Sequence, residues 1–231
     1  MVMISDNLAF VRERIALAAA QSGRTADDIT LVAVTKTFPP ETIRQGIEAG
    51  ITIIGENWVQ EALEKHPAIG NAVSWHLIGH LQSNKAKKAV EIFSLIHSVD
   101  SAALAQEIGR RAGTLGKVQD ILIEVNTSGE GQKFGLMPDE GNILKAVAEI
   151  KKIKGIKILG LMTVGPLTGD ERRIRESFQT LRRLFDRLRS ENLPNVEMRY
   201  LSMGMSGDFE AAIEEGSTMV RVGSAIFGSR R

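Results

Sequence analysis

The chain has 231 residues, 43% of them hydrophobic and 25% charged, with 22 glycines, 6 prolines and a net charge of +1. That length admits one large core, the composition is that of an ordinary globular protein rather than a disordered one, and the balanced charge gives no general pull towards nucleic acid. The absence of cysteine excludes disulfides, thiol catalysis and thiolate metal sites and is compatible with a reducing compartment, while 4 scattered histidines argue against a metal centre.

The N-terminal stretch "MVMISDNLAFVRERIALAAAQSG" is interrupted by Asp6, Arg12, Glu13 and Arg14, so it lacks the unbroken apolar core of a signal peptide. No segment has the apolar length needed to span a bilayer. A cytoplasmic location with no membrane association is therefore expected. The same stretch reads as an amphipathic helix, with Ser5 as its N-cap, a stripe of Leu8, Val11, Ile15 and Ala18, and Gly23 at its end.

Short apolar runs of the kind found in buried parallel strands then recur along the chain, separated by amphipathic helical segments. They are "LVAVT" (31–35), "ITIIG" (51–55), "SWHLIG" (74–79), "SLIHSV" (94–99), "ILIEVN" (121–126), "KILGLMTV" (157–164), "MRYLSM" (198–203) and "MVRVGSAI" (219–226). The arginine-rich segment "ERRIRESFQTLRRLFDRLRSENL" belongs to this pattern, because Ile174, Phe178, Leu181, Phe185 and Leu188 form one apolar stripe and the arginines fall on a solvated face. Alternating strands and helices imply right-handed crossovers and a parallel sheet, and eight such units are the number that closes a barrel. The fold expected is an α/β, TIM-type (β/α)8 barrel spanning residues 1–231 as a single domain. The chain ends soon after the eighth run, so the N-terminal helix is expected to complete the outer ring.

In such a barrel the functional face lies at the C-terminal ends of the strands. In "LVAVTKTFPP" strict alternation puts Val32, Val34 and Lys36 on one face, and an inward choice sets the Lys36 amine over the barrel mouth. A lysine there is either an amine paired with a carboxylate or a nucleophile able to form a Schiff base with a carbonyl. Strand seven leads into Ser202, Gly204, Ser206 and Gly207, with Asp208 and Glu210 opening the helix that follows. Small residues of this kind suit either a helix cap or a cradle for a phosphate. In strand eight Arg221 lies between Val220 and Val222, and Gly223 with Ser224 offers a second donor-rich loop. A reactive lysine, two anion-holding loops and an inward arginine together describe a site for a phosphorylated aldehyde. Pyridoxal 5'-phosphate (PLP) fits that description, and so does a sugar phosphate in a Schiff-base aldolase.

The motifs "AVTKT", "GENWVQEAL", "WHLIGHLQSNKAKK" and "LSMGMSGDFEAAIEEGSTMVRVGSAIFG" resemble those of the pyridoxal phosphate homeostasis proteins over nearly the whole chain. Members of that family are similar to the barrel domain of alanine racemase but stand alone. The resemblance implies that Lys36 carries PLP as a Schiff base. It also implies that Ser202, Gly204, Ser206, Gly223 and Ser224 surround the phosphate and that Arg221 faces the pyridine nitrogen. Asn57, His76 and the segment Met162 to Val164 are implied beside the ring, and Asn126, Lys133 and Gly135 near the mouth. The function implied is a carrier or buffer in vitamin B6 homeostasis, without turnover, working as a monomer or weak dimer with PLP-dependent apo-enzymes as recipients and with neither nucleic acid nor membrane as a partner. The alternative is a PLP-dependent amino-acid racemase of the alanine racemase type. Such racemases use a tyrosine from a further domain as second base, and the one tyrosine here, Tyr200, lies within strand seven.

Overall fold

The strand-forming runs close on themselves. A computed structural model, which describes residues 3–228, has eight parallel strands: β1 (Thr30–Val34), β2 (Ile53–Glu56), β3 (Ser74–Leu77), β4 (Leu95–Val99), β5 (Gln119–Glu124), β6 (Ile156–Met162), β7 (Val196–Ser202) and β8 (Met219–Val222). Each pairs with the next, and β8 returns to β1 with Arg221 opposite Val32, so no edge is left open. Helices follow the strands in turn: α2 (Pro40–Glu48), α3 (Val59–Ile69), α4 (Ala86–Ile92), α5 (Ala102–Thr114), α6 (Glu140–Ile150), α7 (Glu171–Ser190), α8 (Phe209–Glu214) and α9 (Ser224–Phe227). This is the expected single TIM-type barrel. Among the described residues no helix is long and apolar enough to cross a membrane.

Alternation along the strands divides the apolar residues into two layers. Val32, Leu95, Leu122, Leu159, Met162 and Met219 pack together inside the barrel, while Ala33, Ile54, Ile96, Ile121 and Val220 join the larger layer between strands and helices. Strict alternation fails in β6. Gly160 has φ 143°, and a Cβ there would come within 1.8 Å of the Tyr200 carbonyl oxygen. The register with β7 shifts at this point, so Leu159 and Met162 face inward although three residues apart.

The N-terminal helix α1 (Ile4–Gln21) packs against α2, α8 and α9 through Leu8, Val11, Ile15, Ala18 and Ala19, and so occupies the place left in the ring. Its start differs from expectation. Met3 occupies the N-cap position, and Ser5 lies inside the first turn with its hydroxyl donated to Asp6. Gly23, at φ 71°, terminates the helix as its sequence position suggests. The eighth strand is also shorter than the run 219–226, because the chain leaves the sheet after Val222 and winds into α9.

Candidate functional site

At the C-terminal ends of the strands a cavity of about 340 Å³ is lined by Val34, Lys36, Asn57, Ile78, Val164, Met205, Ser206, Gly207, Arg221, Gly223 and Ser224. A larger one of about 440 Å³ lies at the opposite end, between α1 and the starts of β1 and β2, where its charged lining residues Arg12 and Asp27 are exposed. Size alone would favour the second. The chemistry lies in the first, where Lys36 and a buried arginine share one space. Val32 belongs to the inner layer, and Val34 and Lys36, on the same side of the strand, line the cavity above it.

Arg221 is 4% exposed and is held from two directions. Its Nη1 donates to Ser202 Oγ at 2.6 Å and its Nη2 to the Thr163 carbonyl at 2.7 Å, while its main-chain N–H bonds Gly204 O at 3.0 Å. Burial pushes its pKa down to about 10, against the opposing pull of Asp208 and Glu124, so the guanidinium stays charged at neutral pH. Ser202 passes the contact on: its oxygen stands 3.2 Å from His97 Nδ1, and His97 Nε2 stands 3.1 Å from His76 Nδ1. Each ring nitrogen of His97 thus shares one hydrogen bond with a neighbour, Nδ1 with the Ser202 hydroxyl and Nε2 with His76. Both imidazoles are neutral, because burial lowers His76 to about 3 and drives His97 well below its ordinary value. A chain of uncharged donors thus crosses the barrel interior from β3 to β8 and ends on one fixed cation.

Glu124 completes this layer from β5. It is 7% exposed, its Oε2 has no hydrogen-bond partner, and burial together with the charge of Asp100 raises its pKa to about 7, with Arg221 opposing.

Two loops rim the cavity on the other side. Ser206 Oγ accepts the Gly223 N–H at 3.1 Å and the Ala225 N–H at 3.3 Å, which ties the loop after β7 to the loop after β8. Those two bonds draw the chain out of the sheet and into α9. Both acceptor positions of the hydroxyl are used, and its own hydrogen remains available to a further acceptor. Nothing lies within 4 Å of where a Cβ on Gly207 would stand, whereas one on Gly223 would meet Val34 Cβ at 3.2 Å. The small residues therefore keep the rim open at one loop and allow close packing at the other.

Lys36, Asn57, Ser206, Arg221, Gly223 and Ser224 are thus brought together. Three other expected positions stand back from the cavity lining. Met162 is fully buried in the inner apolar layer. Ser202 is spent on Arg221 and His97 beneath the cavity floor. Gly204, at φ 96°, lies so close to α8 that a Cβ would come 2.6 Å from Ala212 Cβ. His76 is the far end of the histidine chain, and of the segment 162–164 only Val164 lines the cavity. Asn126, Lys133 and Gly135 build the loop after β5. Asn126 Nδ2 bonds the Glu130 and Lys133 carbonyls, and Lys133 Nζ bonds Glu130 Oε1 at 2.9 Å and Gly165 O at 2.8 Å.

His97 and Glu124 do not stand out from motif reading. Each is nevertheless a polar side chain two residues past an inward leucine, Leu95 and Leu122, in a buried strand. That alternation is the signal that could have found them.

Comparison with known proteins agrees with this fold. The family described as "Alanine racemase, N-terminal domain" matches residues 8–231. The chain is 43% identical over 227 residues to the pyridoxal phosphate homeostasis protein of Aquifex aeolicus, with 98% of each covered. It is similar to PipY of Synechococcus elongatus PCC7942 solved with PLP bound, at 34% identity and a TM-score of 0.84 over 98% of this chain and 100% of that one. The alanine racemase of Clostridium difficile 630 shares the fold alone, with 17% identity and a TM-score of 0.77 over 97% of this chain but 57% of that one. The chain belongs to the alanine racemase N-terminal domain family and, within it, to the pyridoxal phosphate homeostasis proteins.

Proposed function

We propose that this single-domain protein binds PLP reversibly as a Schiff base on Lys36, limits free aldehyde and passes the cofactor to PLP-dependent apo-enzymes. The observation that carries the reading is one cavity of about 340 Å³ holding an amine, a buried guanidinium and two small-residue loops. The donor set fits the group. Ser206 keeps a hydroxyl hydrogen for an anion, Gly207 leaves space where a side chain would intrude, and Ser224 adds a second hydroxyl to the same cavity lining. A phosphate near two negative charges gains from each such charge-assisted bond.

When bound, PLP would supply an aldehyde with which the Lys36 amine would condense, releasing one water, and hydrolysis would reverse that bond on release. Arg221 bears on whether turnover follows. Held by Ser202 and Thr163, the Arg221 cation would keep a pyridine nitrogen beside it unprotonated and so would weaken the ring as an electron sink. A racemase reading also requires a second acid–base group facing Lys36. Tyr200 cannot supply it, because it lines a cavity at the N-terminal end of the barrel with Arg24, Thr30 and Thr218. Retention without racemisation is the outcome these residues support.

Borohydride reduction followed by peptide mass spectrometry tests the proposal. The expected adduct has the mass of reduced PLP on the peptide containing Lys36, and Lys36→Ala should lose it while keeping its far-UV spectrum. An adduct on another lysine, or full labelling of Lys36→Ala, would overturn the assignment.

A further inference from the structure

Both residues bonded to Lys36 are tied to one buried ionic cluster that the cavity itself does not contain. Glu56, at the end of β2, is fully buried, and Lys65, on α3, is 6% exposed. Lys65 Nζ lies 2.7 Å from Glu56 Oε1 and 2.7 Å from Glu61 Oε1, one turn earlier on the same helix. On the N-terminal side of Lys36, the Thr35 carbonyl accepts a 2.8 Å bond from Lys65 Nζ, and Thr35 Oγ1 donates to Glu56 Oε1 at 2.6 Å. On the other side, the Thr37 N–H donates to Glu61 Oε1.

Thr37 has φ 69°, a left-handed conformation that is unfavourable for a β-branched residue. A charge-assisted bond to Glu61 holds it there. The cluster is otherwise a poor investment in stability, since burial raises the Glu56 pKa against the pull of Lys65 and Thr35, and Glu56 Oε2 has no partner. A buried ion pair of this kind is weak evidence for stability and better evidence for a fixed geometry.

We propose that Lys65, Glu56 and Glu61 are the positioning residues of Lys36: they clamp the peptide units on both sides of it, so that its amine meets a bound aldehyde already oriented. The inference rests on Lys36 being the carbonyl-binding amine. Its consequence is selective, because the clamp should matter for forming the C=N bond and not for holding the phosphate and ring.

The test compares two ligands by equilibrium binding. One is PLP and the other is pyridoxine 5'-phosphate, which carries an alcohol in place of the aldehyde. Lys65→Met would strand two carboxylates and endanger folding, so Glu61, whose side chain is 21% exposed, is the residue to change. Glu61→Ala should weaken PLP binding about tenfold, the scale of one charge-assisted hydrogen bond, and leave pyridoxine 5'-phosphate within about twofold. Glu61→Gln, whose amide oxygen can still accept the Thr37 N–H, should recover most of the loss. Equal weakening of both ligands, or no weakening of either, sinks the clamp. Lys36→Ala run in parallel examines the premise separately: it should bind the two ligands alike, and a retained preference for PLP would remove the premise whatever Glu61 does.

Discussion

Ser206 and Ser202 are four residues apart and do different things. Ser206 sits on the rim, holding the two loops together with a hydroxyl hydrogen to spare, whereas Ser202 lies beneath and orients Arg221. Ser206→Ala should therefore weaken PLP by about tenfold but barely affect pyridoxal, which has no phosphate to lose a donor. Ser202→Ala should weaken both ligands by a similar factor, because it acts through Arg221 and the ring. Titrating each variant with PLP and with pyridoxal, followed by the near-ultraviolet absorbance of the lysine adduct, distinguishes them. A Ser202→Ala effect confined to PLP would return that hydroxyl to the phosphate. Residue types in the chain pointed to both serines, but which one lines the cavity depends on where strand β7 ends and its loop begins.

At the scale of elements, β6 shows how a local exception sets the interior. Gly160 lets the strand pass against Tyr200 and shifts register, which turns Leu159 and Met162 inward together. Gly160→Ala combines a left-handed φ with a contact no side chain can accept, and should destabilise the protein by about 3 kcal/mol or more. Gly207→Ala, with open space at its Cβ and a negative-φ backbone, should change stability by no more than about 0.5 kcal/mol. Urea unfolding of the two variants checks the contrast, and similar midpoints would mean that β6 and β7 can separate more easily than their register implies. Periodicity made all eight strands legible. Their ends were less so, as with β8, where Ser206 from a neighbouring loop takes the N–H groups of Gly223 and Ala225 and starts α9.

Across the whole molecule, the polar layer under the cavity gives stability a definite pH dependence. Glu124 titrates near 7 in the folded protein against an ordinary 4.5, so the folded state holds the extra proton between those values. Its contribution is complete below about pH 4.5 and is lost as pH rises through about 7. The buried histidines act in the opposite sense. With folded pKa values lowered from 6.5, they support stability above that value and withdraw it as pH falls. Glu124→Gln keeps the histidine effect and removes the carboxyl one. At pH 8 it should be more stable than the wild type by about 3 kcal/mol, with the gap shrinking below about 1 kcal/mol near pH 5. Thermal unfolding across this range measures the gap, and a pH-independent difference would show that Glu124 is ionised throughout.

Composition and hydrophobic period by themselves determined that this chain forms a parallel eight-stranded barrel with a spare helix at its N-terminus. They also placed a lysine and an arginine at its mouth, because alternation along a strand and the direction of parallel crossovers are local properties. Only the tertiary structure decided which polar groups meet. The path from His76 through His97 and Ser202 to Arg221 joins four strands, and the Lys65 cluster joins β2 and α3 to the residue that follows β1. Such contacts depend on barrel closure and strand stagger, which bring residues together across the interior at separations that no sequence period encodes.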